Sequence, residues 1–110
     1  MPLPNEDWVT VALRADLPPG GMLAVSFGDY QIALYDVAGE VFATDNLCTH
    51  AQAFLSDGTL AGEVVECPLH GGRFEVKTGK GLGAPIPCDL KTYPARVAAG
   101  EIQLRLPEIF

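Results

Sequence analysis

The chain has 110 residues, 48% hydrophobic and 19% charged, with a formal net charge of −7. That length fits one compact domain with a modest core. The acid excess disfavours nucleic acid and anionic membrane as partners, since both need a basic face, and it also serves solubility. Nothing in the sequence is long and apolar enough to span a bilayer. The acidic start Met1-Pro2-Leu3-Pro4-Asn5-Glu6-Asp7 lacks the order of a signal peptide, so a cytoplasmic location is expected. Three cysteines in such a chain point to metal binding or catalysis and not to a disulfide framework.

Taken in chain order, the sequence reads as strands separated by turns. Trp8 to Leu13 alternates around Val9, Val11 and Leu13, and Leu17-Pro18-Pro19-Gly20-Gly21 ends it. Met22 to Phe27 and Tyr30 to Val37 are β-rich runs joined at Gly28-Asp29, a hairpin signal. Ala38-Gly39 then turns the chain into Glu40 to Thr44. From about residue 43 to 87 the strands shorten and glycine becomes frequent, with Glu63 to Glu66 and Arg73 to Val76 as short strands. Leu90 to Ala98 and Glu101 to Leu106 flank Ala99-Gly100, a second hairpin signal, and Pro94 demotes the first of them to an edge strand or a bulge. No window keeps a helical apolar period. The expected fold is all-β. A basal antiparallel sandwich or small barrel comprises about 1–42 and 88–110, and a smaller subdomain of about 43–87 is inserted into it.

The chemistry lies in that insertion. Cys48-Thr49-His50 is followed by Cys67-Pro68-Leu69-His70, offering two thiolates and two imidazoles as metal ligands. Such a set can hold one zinc ion, or a [2Fe–2S] cluster with two cysteines on one iron and two histidines on the other. Each segment gives one Cys and then one His, so each loop reaches both irons, which is the Rieske arrangement. Two ferric ions, two sulfides and two thiolates sum to zero charge. Neutral imidazoles therefore ease the addition of one electron and raise the potential above that of all-cysteine clusters. The second nitrogen of each imidazole is free to face solvent or a partner, so His50 and His70 are expected at an exposed tip.

Neighbouring residues add support. Gly71 and Gly72 allow amide N–H groups to approach the sulfides, and Pro68 stiffens the second loop. Gly81-Leu82-Gly83-Ala84-Pro85-Ile86-Pro87 reads as a third, apolar covering loop. Leu69 and Phe54 could shield a cluster, although ordinary core packing is the expected role of both. Trp8, Tyr30, Tyr35 and Tyr93 read as core or strand-face aromatics, and Arg73, Lys77 and Lys80 as solvated charges. Cys88 has no partner spaced for ligation and is expected to be structural.

The runs Ala43-Thr44-Asp45-Asn46-Leu47-Cys48-Thr49-His50 and Glu66-Cys67-Pro68-Leu69-His70-Gly71-Gly72-Arg73-Phe74 resemble the Rieske ferredoxins of bacterial aromatic ring-hydroxylating dioxygenases, the naphthalene-dioxygenase type above all. Ser56-Asp57-Gly58, Lys77-Thr78-Gly79-Lys80 and Ala84-Pro85 extend the likeness over most of the chain. The resemblance implies one Rieske [2Fe–2S] cluster held by Cys48, His50, Cys67 and His70. It also implies a soluble carrier passing single electrons from an NAD(P)H-dependent flavoprotein reductase to a terminal oxygenase, and a shuttle of this kind is expected to be a monomer.

Departures from other branches sharpen that expectation. Ala53 and Leu69 stand where the subunits of bc-type complexes carry an extra disulfide, and Gly72 and Phe74 stand where high-potential members carry Ser and Tyr hydroxyls. The potential is accordingly expected near the low end of roughly −150 to +300 mV, as a reductase-to-oxygenase carrier requires. His50 and His70 are the only histidines, so with both on a cluster none remains for a mononuclear iron site of two His and one carboxylate. The chain is expected to be a carrier and not the hydroxylating enzyme. Alternatives are the Rieske-type small subunit of another oxidoreductase, such as a nitrite reductase, and a zinc-stabilised binding module.

Overall fold

In the computed structural model, residues 8–49, 52–69, 71–83 and 89–106 are described. Their strands are β1 (Trp8–Leu13), β2 (Met22–Phe27), β3 (Tyr30–Val37), β4 (Glu40–Asp45), β5 (Thr59–Ala61), β6 (Val64–Glu66), β7 (Arg73–Glu75), β8 (Gly81–Leu82), β9 (Thr92–Tyr93), β10 (Ala95–Ala98) and β11 (Glu101–Arg105). Single 3-10 turns occupy Arg14–Asp16 and Leu55–Asp57. Among the described residues no helix is long and apolar enough to cross a membrane.

The strands form three antiparallel sheets, ordered β1-β11-β10, β2-β3-β4-β9 and β5-β6-β7-β8. β3 is the central element. Its run Ile32-Ala33-Leu34-Tyr35 is fully buried, the continuous apolar texture of a strand covered on both faces. Side chains alternate across a strand, so Ile32 and Leu34 enter a core with Leu17, Ala43, Tyr93, Ile102, Leu104 and Leu106. Ala33 and Tyr35 enter a second core with Leu55, Val65, Phe74, Val76, Leu90 and the two cysteines Cys48 and Cys67. The middle sheet thus packs on the β1-β11-β10 sheet with one face and on the β5-β6-β7-β8 sheet with the other.

Local chemistry fixes the register. The β3–β4 hairpin turns at Ala38 (φ 53°) and Gly39 (φ 89°), two positive φ values that match the twist of the flanking strands. Asp36, buried beneath this turn, accepts from Gly39 N–H at 3.1 Å and is ion-paired with Arg14. The Arg14 hydrogen bond, with further help from the Gly39 and Gly20 amides, lowers the carboxyl pKa below its ordinary value.

Three boundaries differ from the sequence reading. β1 shifts register between Thr10 and Ala12 as it pairs with β11, and this bulge reverses the alternation. Val9, Val11 and Ala12 pack inward as a result, and Leu13, expected inside, is 53% exposed. The run from Leu90 to Ala98 divides at Pro94: β9 borders the middle sheet and β10 borders the β1-β11-β10 sheet. Gly81–Leu82, read as loop, adds β8 to β7, and β5 was not expected. Strands this short carry little periodicity, so β6 and β7 are legible in sequence while β5 and β8 are not. Residues 84–88, the rest of the third loop together with Cys88, lie outside the described residues.

Tyr35 generates one prediction. Thr44 Oγ1 donates to the Asp45 carbonyl at 2.8 Å, so the Tyr35 hydroxyl is the donor in its own 2.8 Å bond to Thr44. Burial pushes the phenol pKa up to about 12 from an ordinary 10.0, with the Thr44 bond acting in the opposite sense. The fold therefore favours the neutral phenol, a contribution complete below about pH 10 and lost as pH rises through about 12. In that window the stability of the natural chain should fall more steeply than that of Tyr35→Phe, by up to about 1.4 kcal/mol per pH unit, measured in urea titrations at each pH. Separately, Ala99 holds φ 52° in the β10–β11 turn, and Ala99→Asn should raise stability by about 1 kcal/mol, read from the same titrations.

Candidate metal centre

Cys48 follows the end of β4, and Cys67 follows the end of β6. Each opens a short loop closed by the same backbone bond. Cys48 N–H donates to the Ala53 carbonyl at 2.9 Å, and Cys67 N–H donates to the Gly72 carbonyl at 2.7 Å. Both bonds span five residues, so the two loops are alike in size. An isolated bridge between Leu47 and Phe54 extends the closure of the first. The closing residue of the second, Gly72, is buried.

The two thiols meet at the inner ends of these loops. Cys48 and Cys67 are 4% and 1% exposed, neither forms a disulfide, and they share the core with Tyr35, Leu55, Val65 and Phe74. Burial pushes the Cys67 thiol pKa up. The Leu69 N–H donates to its sulfur and opposes the rise, and a hydrogen bond to Cys48 adds to it. Two sulfurs in contact, from separate loops, in an apolar site with an amide aimed at one of them, make a donor set that suits a thiolate-bound metal or cluster. His50 and His70, the other two expected ligands, lie outside the described residues.

The expectation of core packing for Leu69 and Phe54 fails. Each is 43% exposed, and Leu47 is 48% exposed, because the short loops turn these side chains outward while the cysteines take the inward positions. Of the basic residues, Lys77 reaches Glu63 at 3.4 Å and lies 5.6 Å from the Phe42 ring centroid, while Arg73 and Lys80 are exposed. Ala53 closes the first cysteine loop and Phe74 lies on β7 just after the second, so neither position brings a thiol or a hydroxyl, and Phe74 is fully buried.

Sequence reasoning missed the residues that hold the loops in place. Asn46, 3% exposed, donates its N–H to the Gln31 carbonyl at 2.8 Å and accepts from Leu55 N–H at 2.7 Å. Its side chain is bonded twice to Ser56, at 2.9 Å each. Gly79 donates to the Glu75 carbonyl and accepts from Leu90 N–H, both at 2.7 Å, tying the turn after β7 to the segment before β9. Asn46 and Gly79 look like turn residues in sequence, and only long-range partners reveal their roles.

The Rieske [2Fe-2S] domain profile matches residues 7–94. The ferredoxin component of the naphthalene 1,2-dioxygenase/salicylate 5-hydroxylase systems of Ralstonia sp is 46% identical, over 93% of this chain and 98% of its own length. The solved Sphingomonas yanoikuyae B1 ferredoxin is 39% identical with a TM-score of 0.85, covering 90% of this chain and 98% of that one. A chain in the complex of reduced oxygenase and oxidized ferredoxin in carbazole 1,9a-dioxygenase is 38% identical with a TM-score of 0.83, covering 92% and 94%.

A Cβ on Gly79 would stand 2.2 Å from the Leu90 carbonyl oxygen, at a φ of +79°. Gly79→Ala should therefore cost about 2 kcal/mol or more, measured by urea melts against the natural chain.

Proposed function

Because this chain belongs to the Rieske [2Fe-2S] domain family, we propose that it carries single electrons to the terminal oxygenase of an aromatic ring-hydroxylating dioxygenase system. Its electrons come from an NAD(P)H-dependent flavoprotein reductase, and it works as a cytoplasmic monomer. The observation that carries this reading is the pair of buried, contacting thiols presented by two loops of equal size, each loop holding one of the chain's only two histidines.

Cys48, His50, Cys67 and His70 are the ligands in this reading, and residues 43–87 form the cluster-binding part between basal segments 1–42 and 88–110. The placement of the β5-β6-β7-β8 sheet between β4 and β9 supports that division. When bound, the cluster supplies reversible one-electron storage. The protein's part is to hold, shield and tune. The apolar core around Cys48 and Cys67 excludes water from the thiolate side, and the Leu69 amide stabilises sulfur charge at Cys67. With both histidines committed, no His remains for a hydroxylating iron site, so the chain transfers electrons and leaves oxygen chemistry to its partner. The relatives named as ferredoxin components of dioxygenase systems, and the carbazole ferredoxin in complex with its oxygenase, support the same assignment.

The test is an EPR spectrum of the dithionite-reduced protein, with iron, sulfide and zinc analysis of the same sample. A rhombic signal whose average g lies below that of all-cysteine [2Fe–2S] proteins is expected. A colourless protein holding one zinc would overturn the proposal. Two substitutions test the tuning. His70→Cys should lower the midpoint potential by adding thiolate charge, and Gly72→Ser should raise it by adding a hydroxyl donor near sulfur, both read by redox titration.

A further inference from the structure

The 3-10 turn that lies between the two cysteine loops in sequence touches the residues that lead into both of them. At its near end, Leu55 N–H donates to the Asn46 carbonyl at 2.7 Å, Ser56 N–H donates to Asn46 Oδ1 at 2.9 Å, and Asn46 Nδ2 donates to Ser56 Oγ at 2.9 Å. Asn46 stands two residues before Cys48. At the far end, Gly58 N–H donates to the Leu55 carbonyl at 2.9 Å and closes the turn.

Gly58 then meets the end of β6, which leads into the second loop. A Cβ on it would lie 1.9 Å from the Glu66 carbonyl oxygen and 3.1 Å from the Glu66 carbonyl carbon. Glu66 immediately precedes Cys67. The φ of Gly58 is −90°, so the position asks for the absence of a side chain and not for a left-handed backbone. Because the opposing atoms are backbone, no rotamer change relieves the clash. Either the turn or the end of β6 has to move.

We propose that the Leu55–Gly58 segment is a spacer that sets the separation of Cys48 and Cys67, with Asn46 and Gly58 as positioning residues at its two ends. The inference rests on the ligand reading above. One end of the segment is hydrogen-bonded to the chain leading into Cys48, and the other is in backbone contact with the chain leading into Cys67. A closed turn held against backbone at both ends has no side chain at Gly58 to swing aside, so it transmits a displacement through the close-packed interior. A shift of one thiolate relative to the other alters the geometry and hydrogen bonding that tune a bound cluster.

The test compares the reduced holoprotein of the natural chain with Gly58→Ala, Ser56→Ala and a control, Ile102→Val, in the core remote from the cysteines. The readouts are iron content, EPR g values and midpoint potential, alongside melting temperature. Gly58→Ala should displace the g values and shift the potential, or lose iron while keeping a β-type circular dichroism spectrum. Ser56→Ala, which removes one of the three near-end bonds, should give a smaller displacement of the g values. Ile102→Val should lower the melting temperature and leave both signatures at their natural values. Full iron content with unchanged g values and potential in Gly58→Ala overturns the proposal, as does an equal shift in Ile102→Val. If Gly58→Ala does not fold, Ser56→Ala decides by the same criteria. The ligand reading stands or falls on the natural chain's own spectrum, and the spacer on differences between variants.

Discussion

Everything in this fold hangs on β3 being covered on both faces. A strand has only two sides, and each side of β3 seeds a different core. Ile32 and Leu34 build the basal sandwich, while Ala33 and Tyr35 build the layer that receives Cys48 and Cys67. A shift of one residue in its pairing would exchange the two sets and empty both cores at once. The turn at Ala38-Gly39, with buried Asp36 held by Arg14 and Gly39, opposes that slip.

From β3 the order passes to the two cysteine loops through its neighbours. Asn46 at the exit of β4 is bonded to the Gln31 carbonyl on β3, which ties the approach to Cys48 to the strand whose buried run begins at the next residue. The Tyr35 hydroxyl, donating to Thr44, links the same two strands within the cysteine core. Cys67 enters from β6, whose pairing with β5 and β7 sets its height in that layer. The second loop therefore depends on a sheet of two- and three-residue strands packed against a longer one. Such short strands gain their stability from tertiary burial rather than from their own propensity.

Much of this was legible in the residues, for identifiable reasons. β2, β3 and their Gly28-Asp29 turn are readable because long runs and turn chemistry agree. The cysteines are readable because thiols paired with imidazoles at short spacing have few other uses. Leu13 was misplaced because a bulge leaves no mark in a hydrophobic pattern. Leu69 and Phe54 were misplaced because apolar character alone does not say which way a loop residue faces. Gly58 shows nothing of its role in sequence, since a collision with a carbonyl eight residues away is a property of three-dimensional approach. Pro94 marks an edge position in sequence, and β9 and β10 on either side of it are both edge strands; that it also hands the chain from one sheet to the other is visible only in three dimensions.

That handover has a consequence for how the molecule meets copies of itself. A sheet edge is a template on which a foreign strand can zip. In the basal part the edge strand β1 lies against the edge strand β2, and β10 lies against β4 at the corner made by Pro94. A proline contributes no N–H to a would-be ladder, and the edge strands beside it, β9 and β10, are two and four residues long. The outer strands of the cysteine-bearing sheet, β5 and β8, have three and two residues. With β1 and β2 facing each other and the other edge strands short, the described residues leave little long, flat edge for a foreign strand to extend.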